Sequence, residues 1–168
     1  MMKVSEVIEL SALLLDIELT EEVKPILVRC YNLVEQELAT DYFPILEVDK
    51  FFHVEDKIYY KDFSRKGYMI KGVQDFRGDK VNYVLRLEYL ELQKNYDGGT
   101  FFVKYYYTPD EKDFHSQCTY GVEYINILKY GVASEYCLVT GDFEQAKIYN
   151  DKYKEIIKLK GPKKTKCE

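Results

Sequence analysis

The sequence predicts an α+β protein: a four-helix core, made of two N-terminal helices and a C-terminal helical hairpin, with an inserted antiparallel β-sheet. Three observations carry this. Apolar residues recur at helical spacing before residue 46 and after residue 110. Between them, from 47 to 109, lie short runs rich in Tyr, Phe, Val and Ile, punctuated by polar or glycine turns. Finally, Thr140-Gly141-Asp142 reads as the tight turn of a helical hairpin.

Taken in order, Val4, Ile8, Ala12 and Leu15 line one face of a first helix over 4–15, with Val7, Ser11 and Leu14 beside it. Thr20 reads as the N-cap of the second, and Glu21 and Glu22 carry charges that favour a helix N-terminus. Pro25 falls near the opening turn, where a missing N–H costs least. Leu27, Cys30, Val34 and Leu38 form the buried stripe, and Pro44 biases Phe43 away from helical geometry, so this helix should end near Thr40.

Three hairpins are expected next. Phe51–Val54 pairs with Lys57–Phe63 across Glu55-Asp56, Tyr68–Gln74 with Lys80–Leu87 across 76–79, and Tyr89–Lys94 with Thr100–Thr108 across 95–99. Short sequential turns require antiparallel pairing, because parallel strands need long crossovers. The final strand, F-F-V-K-Y-Y-Y, is aromatic on both faces, which fits burial by the helices on one side and by a neighbouring subunit on the other. Tyr105, Tyr106 and Tyr107 are therefore the candidate subunit-interface residues.

A third helix is expected from about Tyr120 to Thr140, with Tyr124, Ile127, Leu128, Val132 and Cys137 as its apolar face. Gly131, Ala133 and Ser134 would let another backbone approach closely. Gly141 supplies the left-handed residue that ends this helix, and Asp142 caps the fourth, with Gln145 placed for a reciprocal capping box. Phe143, Ala146, Tyr149, Tyr153 and Ile156 form its stripe. Beyond Leu159 the residues cannot bury enough apolar surface to order themselves, so the basic tail 161–168 is expected to be mobile in a free subunit.

The totals bound what such a chain does. With 168 residues, one domain is the expectation; 46% hydrophobic and 32% charged residues describe a globular protein. A formal charge of -5 argues against a dedicated nucleic-acid binder. No apolar run approaches the roughly 18 residues of a membrane span. Cys30, Cys118, Cys137 and Cys167 show neither zinc nor disulfide spacing and read as reduced thiols, mostly small buried hydrophobes. Seventeen tyrosines with no tryptophan suit surfaces buried against another protein yet partly wet, although strands favour tyrosine in any case.

Catalytic chemistry is not signalled. His53 and His115 are the only histidines, far apart and without ligand partners at useful spacing. Phosphate-loop, dinucleotide, nucleophile-elbow and zincin motifs are absent. Arg77-Gly78-Asp79 spells an adhesion tripeptide, but a glycine among polar residues is ordinary hairpin chemistry. No catalytic, cofactor-binding or metal-ligating residue is assigned.

One resemblance adds to this reading. The ending Y-G-V-A-S-E-Y-C-L-V-T-G-D-F-E-Q-A-K-I-Y-N-D-K-Y-K, the junction E-L-A-T-D-Y-F-P at 37–44 and the strand end V-K-Y-Y-Y-T-P at 103–109 together resemble the head-to-tail adaptors, or tail-tube gatekeepers, of short-tailed phages and prophages. The resemblance implies a structural virion protein of the neck and tail, assembled in the host bacterial cytoplasm. It implies a ring of identical subunits, commonly twelve, that docks beneath the portal protein, joins the tail proteins and extends the channel for DNA, with no sequence-specific DNA binding and no membrane. It implies neither enzymatic activity nor a cofactor. Lys163, Lys164 and Lys166 then become candidate portal contacts, since a basic tail suits an acidic groove. The other readings are a small non-enzymatic regulatory or protein-binding module, and a hydrolase acting on a polymer.

Overall fold

The computed structural model describes residues 1–54, 56–93 and 99–161, without the side chain of His53. It is α+β, with the helices and the strands in two compact units: Met1–Phe43 with the segment from Pro109 onward, and Pro44–Thr108. Among the described residues no helix is long and apolar enough to cross a membrane.

In the helical unit, α1 (Val4–Leu15) and α2 (Val23–Glu37) pack with α3 (Ile125–Thr140) and α4 (Phe143–Lys160). Helix α1 buries Val4, Val7, Ile8, Ser11 and Ala12 and stops at Asp16, which is left-handed at φ 54°. Its end is closed by Asp16 N–H to Leu13 O and Ile17 N–H to Ala12 O. At the start of α2, Val23 N–H donates to Thr20 Oγ1 at 3.3 Å. The helix buries Leu27, Cys30, Tyr31, Val34 and Glu35, then widens into a π-helical turn, Leu38–Tyr42, that Phe43 N–H closes onto Leu38 O. The chain leaves helical geometry there because Pro44 follows.

Helix α3 begins later than expected. Gly121 is extended (φ -75°, ψ 176°) and a 3₁₀ turn, Val122–Tyr124, comes first, so Tyr120 lies outside the helix and donates its hydroxyl to Phe43 O at 2.9 Å. The hairpin itself is as its residues dictate. Gly141 is left-handed at φ 84°, Asp142 N–H reaches Cys137 O at 2.9 Å, and Gln145 N–H donates to Asp142 Oδ1 at 3.1 Å. The reciprocal half of the capping box is not formed, because the Asp142 N–H is already engaged by the preceding helix. Of the expected α4 stripe, Ala146 and Tyr153 are buried, whereas Phe143 is exposed.

Polar groups in this unit are tied across elements. Ser134 Oγ donates to Ala146 O, Tyr149 OH to Leu14 O, and Tyr153 OH to Glu37 Oε2. Glu35, fully buried, accepts from Tyr31 OH at 2.6 Å and from Thr119 N–H at 2.8 Å through Oε1; Oε2 has no partner among the described residues. Cys30, Cys118 and Cys137 are buried free thiols, and burial pushes Cys30 and Cys118 up to about 11.

The strand unit departs from the expected meander. Seven strands, β1 (Ile45–Val54), β2 (Lys57–Tyr59), β3 (Gly67–Asp75), β4 (Lys80–Val81), β5 (Tyr83–Leu85), β6 (Tyr89–Leu92) and β7 (Gly99–Tyr107), form two antiparallel sheets ordered β1-β7-β3-β4 and β2-β6-β5. Of the three expected hairpins only that across 76–79 forms, pairing just Val73 with Val81 and Gln74 with Lys80, while an unexpected one joins β5 to β6. The 51–63 and 89–108 hairpins do not form: β1 pairs with β7, β3 with β7, and β2 with β6. Strand length explains the exchange. The three strands of nine or ten residues lie side by side and satisfy each other's backbone groups, two-residue β4 adds only to the edge of β3, and the strands of three or four residues form the second sheet. A core of Ile58, Val73, Leu90, Phe101, Val103 and Tyr105 draws on both sheets. The inner face of β7 is thus covered by strands, where helices were expected.

Tyr105 anchors that core. Its hydroxyl donates to Asp49 Oδ2 at 2.7 Å and accepts from Arg65 N–H at 3.2 Å. Ser64 donates both N–H and Oγ–H to Asp49, at 2.7 and 2.6 Å. Burial opposes ionisation of Asp49, but the Ser64 and Tyr105 hydrogen bonds win and hold its carboxyl below the usual value. A depressed folded-state pKa contributes stability above the ordinary aspartate range and loses it as pH falls through the folded value. Asp49→Asn should therefore melt lower at pH 7 and lose less on acidification below about pH 4, the range of an unperturbed aspartate. Parallel melting curves of variant and wild type across pH 2–7 would contradict this.

Candidate interaction surface

Alternation along the long strands divides the first sheet into two faces. Register places Leu46 opposite Tyr106, Val48 opposite Lys104 and Lys50 opposite Phe102, all away from the core, while Asp49, Phe51, Phe101, Val103 and Tyr105 share the inner face. Across β7, Met69 stands opposite Tyr106 and Gly72 opposite Lys104. The outward face is apolar for a surface: Phe52 is 60% exposed, Leu46 52% and Met69 50%. Contiguous exposed apolar area of this kind marks an interaction site more often than a solvated wall.

Its charges have one sign. Lys50 Nζ lies 4.6 Å from the centroid of Phe52 and 5.6 Å from that of Phe102, and Lys71 Nζ lies 5.1 Å from that of Tyr106. Each ammonium sits against an aromatic ring, a favourable arrangement worth about 0.5–1 kcal/mol at exposed sites. With Lys104 between them, the register positions of this face hold lysines and no carboxylate. Strand β1 is also an edge, so its outer backbone row is not paired within either sheet.

The three tyrosines of the expected interface separate. Tyr106 faces outward beside Tyr68 and Met69. Tyr105 is 0% exposed and belongs to the core, so it presents nothing to a partner; Tyr107 packs against the same core from its edge. The alternation of β7 does this, since residues 105 and 107 share a face and 106 takes the other. Leu46, Val48, Phe52 and Met69 were not among the expected residues. For Leu46, Val48 and Phe52 the signal was the alternation running back from Phe52 to Leu46, in a stretch assigned to strand only from Phe51, whereas Met69 lay within the expected strand Tyr68–Gln74.

The remaining sites stand as follows. Lys163, Lys164 and Lys166 lie outside the described residues, as does Cys167. His115 is exposed beside Phe114. Arg77-Gly78-Asp79 forms the β3–β4 turn: Gly78 has φ 87°, and Asp75 Oδ1 accepts from Arg77 N–H and Asp79 N–H, both at 2.9 Å. Among the described residues no group of three His, Cys, Asp or Glu side chains comes together to hold a metal ion. A groove of about 580 Å³ runs between Tyr60, Phe63, Lys66, Tyr68, Met69 and Arg86, and Tyr68 and Met69 connect it to the outward sheet face. No family model matches the chain, and no curated protein matches its sequence.

Proposed function

We propose that this chain is a structural virion protein, a head-to-tail connector subunit that assembles with copies of itself into a ring below the portal, extends the DNA channel and joins the tail. The observation that carries the reading is the outward face of β1, β7 and β3, with its exposed Leu46, Val48, Phe52 and Met69. Burial of that face in an assembly accounts for its composition, because subunit interfaces are richest in aromatic side chains and Met at their centres. The helical hairpin supports the same reading, since the stretch that resembles the phage adaptors forms one continuous helix–turn–helix, 125–160, on a left-handed Gly141.

Sedimentation of the full chain, alone and with the portal protein of the same virus, tests it. A closed ring of many subunits, or recruitment of many copies to the portal, is the expected result. A dimer that ignores the portal would favour the small protein-binding module instead, and a monomer that ignores it would overturn the connector reading outright.

A further inference from the structure

The charges of the chain are unevenly divided between its two units. Residues 44–108 carry eleven lysines and arginines against ten aspartates and glutamates, whereas the remainder carries thirteen against nineteen. The strand unit is close to neutral with a lysine-bearing apolar face, and the helical unit is acidic.

The acidity is concentrated at one place. Between Lys3 and Lys24 there are six carboxylates, Glu6, Glu9, Asp16, Glu18, Glu21 and Glu22, and no basic residue. Helix α1 shows Glu6, Glu9, Leu10 and Leu13 on its solvent side, at the i, i+3, i+4, i+7 spacing of a single stripe, and Leu13 is 78% exposed. This stripe is apolar and anionic. The outward sheet face is apolar and cationic. Each has what the other lacks: leucines to cover Phe52, Phe102 and Tyr106, and carboxylates to meet Lys50, Lys71 and Lys104.

Resting on the ring reading above, we infer that the outward face of β1-β7-β3 on one copy docks onto the solvent side of α1 on the next. Such a contact joins two different surfaces, so every copy offers one of each, and contacts of this kind close into rings when the rotation between copies permits. A sheet face meeting its own copy would bring lysines against lysines, and like charges across an interface are costly. The acidic stripe also argues against nucleic acid as the common occupant of both faces, since phosphates would be repelled from α1.

Charge exchange tests this with the full chain. Lys50→Glu/Lys104→Glu makes the sheet face acidic, and Glu6→Lys/Glu9→Lys makes the solvent stripe of α1 basic. All four positions lie away from the core, and circular dichroism melts check that both variants fold. Each alone is expected to self-associate at least about tenfold more weakly than wild type, the scale of a close interfacial charge pair. Mixed in equal amounts they should assemble again, because the acidic sheet of one meets the basic helix of the other, and the wild-type pairing is kept in the alternate contact. Wild-type assembly by each variant alone would overturn the contact while leaving the connector reading intact. Weakened variants that do not recover on mixing would do the same, by showing that the two faces meet something other than each other. A monomeric wild type that binds a labelled single-stranded oligonucleotide, and loses it with Lys50→Glu/Lys104→Glu, would overturn it in favour of nucleic acid. A wild type monomeric both alone and with the portal protein would end this contact and the connector reading together.

Discussion

Tyr105→Asp is expected to unfold the strand unit, while Tyr106→Asp, one residue along, leaves it folded. Tyr105 is fully buried, with its ring 4.6 Å from that of Phe63 between centroids and its hydroxyl on Asp49. Burial, with the Asp49 carboxylate adding to it, pushes that hydroxyl up to about 12, so it stays protonated and donates. An aspartate there deletes a large buried aromatic, a loss of about 3–5 kcal/mol for the ring alone. It also sets a second carboxylate against Asp49, which no longer has a donor at that position. The sum approaches the roughly 5–15 kcal/mol that holds an ordinary domain together. Tyr105→Phe separates the two effects: it keeps the ring and loses only the hydrogen bonds, at a cost of about 1–3 kcal/mol. Near-ultraviolet circular dichroism and amide exchange of residues 44–108 report the outcome. Native spectra for Tyr105→Asp, with Tyr106→Asp unfolded, would mean that β7 is shifted by one residue and its faces exchanged.

The difference between those neighbouring tyrosines also shows where the sequence stops being legible. Local rules fix the helices: apolar spacing marks Val4–Leu15 to the residue, and Gly141 with Asp142 marks the hairpin turn, because caps and periodicity involve residues three or four apart. Strand pairing depends on partners far along the chain. Phe51 meets Phe101, and Ile58 meets Leu90, so the nearest strand in sequence is the wrong partner for each. Short turns made the meander attractive, since closing a long loop costs entropy, but that cost rises only slowly with length and matched strand lengths outweigh it.

The same limit hid the polar core. Tyr31 and Glu35 lie one turn apart on the buried side of α2, where a charged residue would normally be assigned to solvent. What makes Glu35 tolerable inside is the Thr119 amide, 84 residues away. The interaction surface was half legible. F-F-V-K-Y-Y-Y announced an aromatic strand, but which of its tyrosines faces outward depends on the pleat, and the contribution of Leu46 and Val48 depends on β1 lying beside β7.

The second large effect is expected in the helical unit, at a glycine whose conformation is ordinary. Gly131 lies mid-helix in α3 without positive φ, and glycine there costs about 1 kcal/mol relative to alanine in helix propensity alone. Packing reverses that preference. A Cβ added at Gly131 would lie 2.6 Å from Val34 Cγ1 on α2 and 3.1 Å from Tyr153 Cε2 on α4. Val34 is buried and β-branched, so it has little rotamer freedom with which to yield. Tyr153 is buried too, and its hydroxyl is bonded to Glu37 at 3.0 Å, so moving the ring strains a second contact. Gly131→Val adds two further methyls to the same crevice and should destabilise the protein by about 2–4 kcal/mol, at or above the usual range for an overpacked core. Gly131→Ala should cost much less, because the gained helix propensity offsets part of the clash. Val34→Ala alone should cost about 1–3 kcal/mol as a cavity. Combined with Gly131→Ala it should cost less than the sum of the two, since the new methyl fills the space that the valine leaves, and such coupling is the mark of residues in direct contact. Urea denaturation of the four variants measures it. Strict additivity, together with wild-type stability for Gly131→Val, would mean that α2 and α4 do not close on α3 at this glycine, and that its lack of a Cβ serves no packing purpose.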